Sequence, residues 1–159
     1  MRKDDFGTIW RTLGLGAITG VRSMAAPAIL SRSAVEDRIG SLEGTPFAAL
    51  DSPIVSRALQ LLEIGEMIGD KTPIIPSRTS LLPLLGRAAI GAFAGATLFA
   101  SGERPMAMGA ALGAVSAMAA AHAAERLRMQ VTQRLGVSNV AAGLLEDGIV
   151  LLGGPRLVR

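Results

Sequence analysis

Hydrophobic positions gather along the chain in five stretches of helical length, separated by polar residues or prolines. The first stretch, with its flanks, reaches the roughly 20 residues that span a hydrocarbon core of about 30 Å. A cleaved signal peptide is the alternative interpretation of this stretch, and Arg22 within it argues against cleavage. The pattern therefore predicts helical segments from about Gly7 to Ser31, Pro53 to Ile68, Leu84 to Ser101, Pro105 into the 120s, and Ser138 to just before Gly153.

The second segment is polar for a helix that crosses a membrane, because it carries Arg57, Gln60, Glu63 and Glu66. Such a helix is either buried among other helices or is a short or re-entrant element. A polar connector over residues 32–52 precedes it, and an irregular proline-containing linker follows it.

The composition favours a membrane protein. Half of the residues are hydrophobic, 18% are charged and the mean hydropathy is +0.44, whereas soluble domains have about 25% charged residues. Only 3% are aromatic and 19 are Gly, a mixture that suits closely packed helices in lipid. We therefore expect one all-α integral membrane domain over residues 1–159, a bundle of four or five segments.

The same composition excludes several classes of function. The chain has no Cys, which excludes disulfide frameworks, thiol catalysis and cysteine-ligated metals. A net charge of +3 with few aromatics does not predict a nucleic-acid-binding protein. No phosphate-binding motif supports an intramembrane enzyme, so we expect no catalytic residues and no cofactor other than a possible bound cation.

Two short motifs recur in the same order in both halves of the chain. Val21–Ala26 is similar to Val115–Ala120, and Leu61–Gly65 is similar to Leu144–Gly148. If all five segments cross the membrane, the paired segments enter from opposite sides, which is the inverted-repeat plan of many secondary transporters. The first repeat would cover about residues 7–73, a central helix about 80–101, and the second repeat about 105–155.

Basic residues near the segment ends predict the orientation. More Arg and Lys residues fall on the side that holds the N-terminus than on the other side. The positive-inside rule then places the N-terminus in the cytoplasm. We expect a multi-pass protein of the inner (plasma) membrane of the cell.

Ionisable residues within apolar segments usually mark a function, because an unpaired charge is costly at membrane depth. Acidic residues that share a helix face can hold a cation or a proton between them, and oxygen ligands suit hard cations. The alternative is that these groups only form structural ion pairs. The candidate cation- or proton-binding residues are Glu63, Glu66, Asp70, Glu146 and Asp147, of which Glu63, Glu66 and Glu146 are also candidate metal ligands, with Arg22 and Lys71 as internal counter-charges.

Glycines at four-residue spacing predict close helix packing. Gly16 and Gly20 form one such pair, and Gly91 and Gly95 form another. Faces of this kind can also pack against a second copy of the chain, so the sequence predicts a homo-oligomer in the bilayer.

The chain as a whole resembles a family of small bacterial membrane proteins known as domain of unknown function 4126. Residues 16–23 and Glu66–Pro73 carry this resemblance, which implies a membrane location and no particular activity. More narrowly, Gly69-Asp70-Lys71-Thr72 resembles a motif of small calcium and manganese cation/proton antiporters. That motif has Glu three residues before Asp, whereas Glu66 lies four before Asp70.

Two functions follow as expectations. The first is a small transporter or channel for a cation or coupled to protons, with the acidic residues as its carriers. The second is a membrane scaffold or accessory subunit that transports nothing and whose buried charges only pair with one another.

Overall fold

The computed structural model describes residues 3–69 and 79–158, and this part of the chain is α-helical without strands. Two 3₁₀ helices, Ala48–Asp51 and Gly154–Val158, accompany the α-helices. The helices are α1 (Lys3–Val21), α2 (Ala25–Val35), α3 (Pro53–Gly69), α4 (Leu81–Ala100), α5 (Met106–Leu135) and α6 (Asn139–Gly153). The all-α prediction is confirmed.

The first predicted segment is wrong as a single helix, because the chain reverses direction within it. Helix α1 ends at Val21 and α2 begins at Ala25. Leu15 of α1 and Leu30 of α2 belong to one hydrophobic core, so α2 runs back alongside α1. We call the end of the bundle where α1 begins the entry end, and the end that holds residues 22–24 the reversal end.

Later contacts show that the helices alternate in direction. Helix α3 runs to the reversal end, since Glu66 near its end reaches the backbone of Ser23. Helix α4 runs to the entry end, because Arg87 contacts Gly20 and the later residue Gly95 packs against Thr12.

Helix α5 runs from the entry end to the reversal end, parallel to α1. A Cβ on Gly16 would lie 2.7 Å from the carbonyl oxygen of Gly113, and Gly20 packs one turn later on Ala117. Helix α6 returns from Asp147, which contacts Arg22, toward Leu157, which packs on Gly14.

The directions correct the predicted five-pass inverted topology. That plan required the first and fourth segments, now α1 and α5, to run in opposite directions, and they run parallel. The physical reason is the reversal after α1, which adds one change of direction that the hydrophobic pattern does not reveal. The sequence boundaries of the two repeats stay a prediction.

The remaining segments agree closely with their predicted limits, with one extension. Helix α5 continues through its polar end to Leu135, about three helix turns beyond the apolar stretch that ends at Ala124. Ser138 caps α6, because its hydroxyl accepts a hydrogen bond from the amide of Ala141 at 3.2 Å. Helices α4 and α5 are long and apolar enough to cross a membrane.

Candidate functional site: a charged network at the helix reversal

The reversal at residues 22–24 has a local cause in the sequence. Pro27 lies in the first turn of α2, where a missing N–H costs nothing. In an uninterrupted helix its ring would clash with the carbonyl of Ser23, four residues earlier. Helix α1 therefore ends at Val21, and α2 begins after the turn. The first backbone N–H groups of α2 need hydrogen-bond acceptors from outside the helix.

Glu66 of α3 supplies those acceptors. Its two carboxylate oxygens accept hydrogen bonds from the backbone N–H groups of Ser23 and Met24, each at 2.8 Å. A carboxylate beside the first turn of a helix is also favoured by the helix dipole. Glu66 thus acts as a cap that α3 provides for α2.

Arg22 points from the reversal into the bundle and pairs with Asp147 of α6. Its Nε donates to Asp147 Oδ1 at 2.8 Å, and its Nη2 lies 2.6 Å from the same oxygen. The Arg22 side chain is 0% exposed. Gly143 of α6 lies beside this guanidinium, since a Cβ there would be in ordinary contact with Arg22 Nη2 at 3.9 Å.

Two arginines that the sequence analysis did not select complete the network. Arg87 of α4 is buried and donates to the Ser23 hydroxyl at 3.1 Å and to the Gly20 carbonyl at 3.4 Å. Arg128 of α5 lies 3.5 Å from Glu146 and donates to the Asn139 carbonyl at 3.0 Å. Arg87 interrupts an apolar stretch of the sequence just as Arg22 does, and that signal could have identified it.

Glu63 differs from the other acidic residues of the network. It is 9% exposed, and its carboxylate has no hydrogen bond or ion pair among the residues described. Glu66 and Asp147 lie close enough to repel a charge on it.

Glu63 also lines a cleft of about 640 Å³ between α2, α3 and the C-terminal segment. Arg32 and Glu36 line the cleft toward the entry end, and Met67 lines it toward the reversal end. The cleft therefore leads from the entry end of the bundle to the Glu63 carboxyl.

The predicted site residues divide into three groups. Glu63, Glu66 and Asp147 come together with Arg22 around the reversal. Glu146 instead pairs with Arg128. Asp70 and Lys71 lie outside the described residues, as does most of the antiporter-like motif.

The structure does not gather the predicted metal ligands. Glu66 is occupied by backbone amides and Glu146 by Arg128. Within residues 3–69 and 79–158, no group of three or more acidic or histidine side chains could hold a metal ion.

The four selected glycines all pack within the chain. A Cβ on Gly91 would lie 2.6 Å from the Gly113 carbonyl oxygen, and Gly95 packs directly on the backbone of Gly109. Gly16 and Gly20 pack on the same helix, α5. These faces are used inside one copy, so the predicted homo-oligomer no longer follows from them.

Comparison with known proteins places the chain in a family. The model of a domain of unknown function, number 4126, matches residues 9–154, and the chain belongs to that family. No curated protein and no solved structure matches the chain significantly.

Proposed function

We propose that this member of the domain of unknown function 4126 family is a multi-pass membrane protein that carries protons, with Glu63 as the proton-binding group. The distribution of polarity supports the membrane location. Large apolar side chains such as Leu61, Leu82 and Ile149 are exposed, while Arg22 and Arg87 are buried. In soluble domains, charged side chains are seldom buried and large apolar surfaces are seldom exposed. In a bilayer, the exposed apolar side chains contact lipid and not water, so their exposure carries no cost.

The observation that carries the proton-transfer proposal is the isolation of Glu63. Its neighbours Glu66 and Asp147 have fixed partners, so their charges are held in place. Glu63 has none among the described residues and faces a cleft. A carboxyl with this combination of burial and access can take up and release a proton without breaking the fold.

The location of the network within the bundle supports the same role. Gly20 packs between Ala117 and Ala121 of α5, and the polar run that begins at Glu125 follows one turn later. The network therefore lies near one end of the apolar part of α5 rather than at its middle. The cleft approaches Glu63 from the entry end of the bundle. A proton bound to Glu63 is therefore a short distance from the reversal end.

A second function, that of a scaffold without transport, is favoured by the ion pairs themselves. Arg22 with Asp147, and Arg128 with Glu146, tie α6 to the reversal and to α5. A bundle whose only task is assembly needs such pairs and needs no mobile proton.

Proton flux into proteoliposomes separates the two functions. Under an imposed pH gradient, the intact chain should acidify the lumen faster than protein-free vesicles do, and Glu63→Gln should abolish that excess. Glu43→Gln, at an exposed position in the connector, is the matched control and should leave the flux unchanged. Equal acidification by the intact chain and by protein-free vesicles would support the scaffold and exclude the proton carrier.

A further inference from the structure

The cleft that reaches Glu63 combines a cationic mouth with apolar walls. Its mouth holds Arg32, Arg38 and Arg156. Glu36 pairs with the first two, through Arg32 Nε at 2.9 Å and Arg38 Nε at 2.9 Å. One carboxylate thus forms ion pairs with two guanidinium groups, so the mouth has an excess of positive charge.

Arg156 adds to this excess from the opposite wall. Its guanidinium donates to the Leu152 carbonyl in its own segment, and it forms no ion pair with a carboxylate of the described residues. An arginine in this state offers further donors to an incoming anion, with a planar geometry that suits carboxylates.

Beyond the mouth, the walls of the cleft are mainly apolar, with Gln60 and Glu63 of α3 as polar members. Ala28 and Ile29 of α2, Ile64 of α3 and Val150 of α6 line it. Ile64 and Leu152 are exposed at its edges, so the cleft opens sideways onto the surface that would face lipid. Its volume of about 640 Å³ lies within the range of small-molecule sites, about 300–1,000 Å³.

We infer that this cleft binds a single-chain amphiphilic anion, with its carboxylate at the three arginines and its hydrocarbon tail along the apolar walls. Charge complementarity selects the headgroup, and the lateral opening admits a molecule that is dissolved in the bilayer. The inference rests on the membrane location proposed above and names a substrate class for the same cleft. It does not depend on proton transfer by Glu63.

Binding of radiolabelled tetradecanoate to the full chain in phosphatidylcholine nanodiscs tests the inference, with empty nanodiscs correcting for partition into lipid. Binding should saturate, and tetradecanol, which has the same tail without charge, should compete poorly. Arg156→Gln should weaken binding about tenfold, the effect of losing one charge-assisted hydrogen bond. Arg57→Gln removes an exposed arginine of α3 outside the cleft and should change nothing.

The walls have their own matched pair of variants. Ile64→Trp fills the edge of the cleft and should abolish saturable binding, whereas Leu61→Trp, exposed on the same helix outside the cleft, should not. Non-saturable binding, full competition by tetradecanol, or equal losses in Arg156→Gln and Arg57→Gln would each overturn the inference. Saturable binding together with absent proton flux would uphold this site and reject the proton carrier.

Discussion

Arg22 is fully buried, and a buried guanidinium must have a partner. Asp147 supplies it from a helix that lies far away in sequence. The pair itself adds little net stability, because burying both charges is costly. Losing one partner lowers the free energy of unfolding strongly, because the remaining buried charge is then uncompensated.

Asp147→Asn should therefore destabilise the bundle strongly, by about 3–5 kcal/mol. Thermal unfolding in detergent measures this, and Glu43→Gln serves as the exposed control. The double variant Arg22→Met with Asp147→Asn should recover part of the loss, because the stranded charge is gone. Additive losses in the double variant would show that the two residues are not energetically coupled.

Glu66 contributes through hydrogen bonds to backbone amides. Glu66→Gln retains one acceptor oxygen for two N–H groups, so one of the amides of Ser23 and Met24 loses its acceptor. We expect a cost of about 1–2 kcal/mol and faster hydrogen exchange at these two amides. Unchanged exchange at both amides in Glu66→Gln would contradict the capping role.

At the scale of the helices, the packing of α1, α4 and α5 depends on glycines that let backbones touch. Gly95 packs on the backbone of Gly109, while Gly86, earlier on the same helix, has no neighbour within 4 Å of its ideal Cβ position. The two positions provide a matched comparison, since both substitutions add the same methyl group to α4.

Gly95→Ala should destabilise the bundle by about 1–3 kcal/mol, because the backbones of α4 and α5 must separate. Gly86→Ala should be neutral or slightly stabilising, since alanine has the higher helix propensity. Melting temperatures of the two variants in the same detergent check this. Equal melting temperatures would mean that the contact between α4 and α5 tolerates a side chain.

The sequence predicted most helices but not the path of the chain between them. Hydrophobic periodicity located α3 to α6. It could not show the reversal after Val21, because the sequence is apolar on both sides of the turn, at Val21 before it and at Ala25 and Ala26 after it. Pro27 was the local signal, and its effect depends on Glu66 capping α2 from another helix.

For the candidate site, sequence reasoning identified residue types better than pairings. Arg22, Glu63, Glu66 and Asp147 were selected because charges within apolar helices are costly. Which acidic residue faces Arg22 could not be deduced, since Glu146 and Asp147 are adjacent and point in different directions on α6. The packing of α6 against the reversal makes Asp147 the partner of Arg22.

At the scale of the whole molecule, the reversal changes the topology. With alternating directions from α1 to α6, the described C-terminal residues run toward the entry end, where α1 begins. Reporter fusions at Met1 and after Arg159 should therefore report the same side of the membrane. Reporters on opposite sides would restore the five-pass plan and reject the α1–α2 hairpin.

Around the reversal, the acidic side chains Glu66 and Asp147 have fixed partners, whereas the buried carboxyl of Glu63 has none among the described residues. Infrared difference spectroscopy across a pH titration observes a carboxyl group directly, through the carbonyl band of its protonated form. We expect a titrating band from a buried carboxyl in the intact chain, absent in Glu63→Gln and unchanged in Glu43→Gln. A band that persists in Glu63→Gln would contradict the assignment of Glu63 as the proton-binding group.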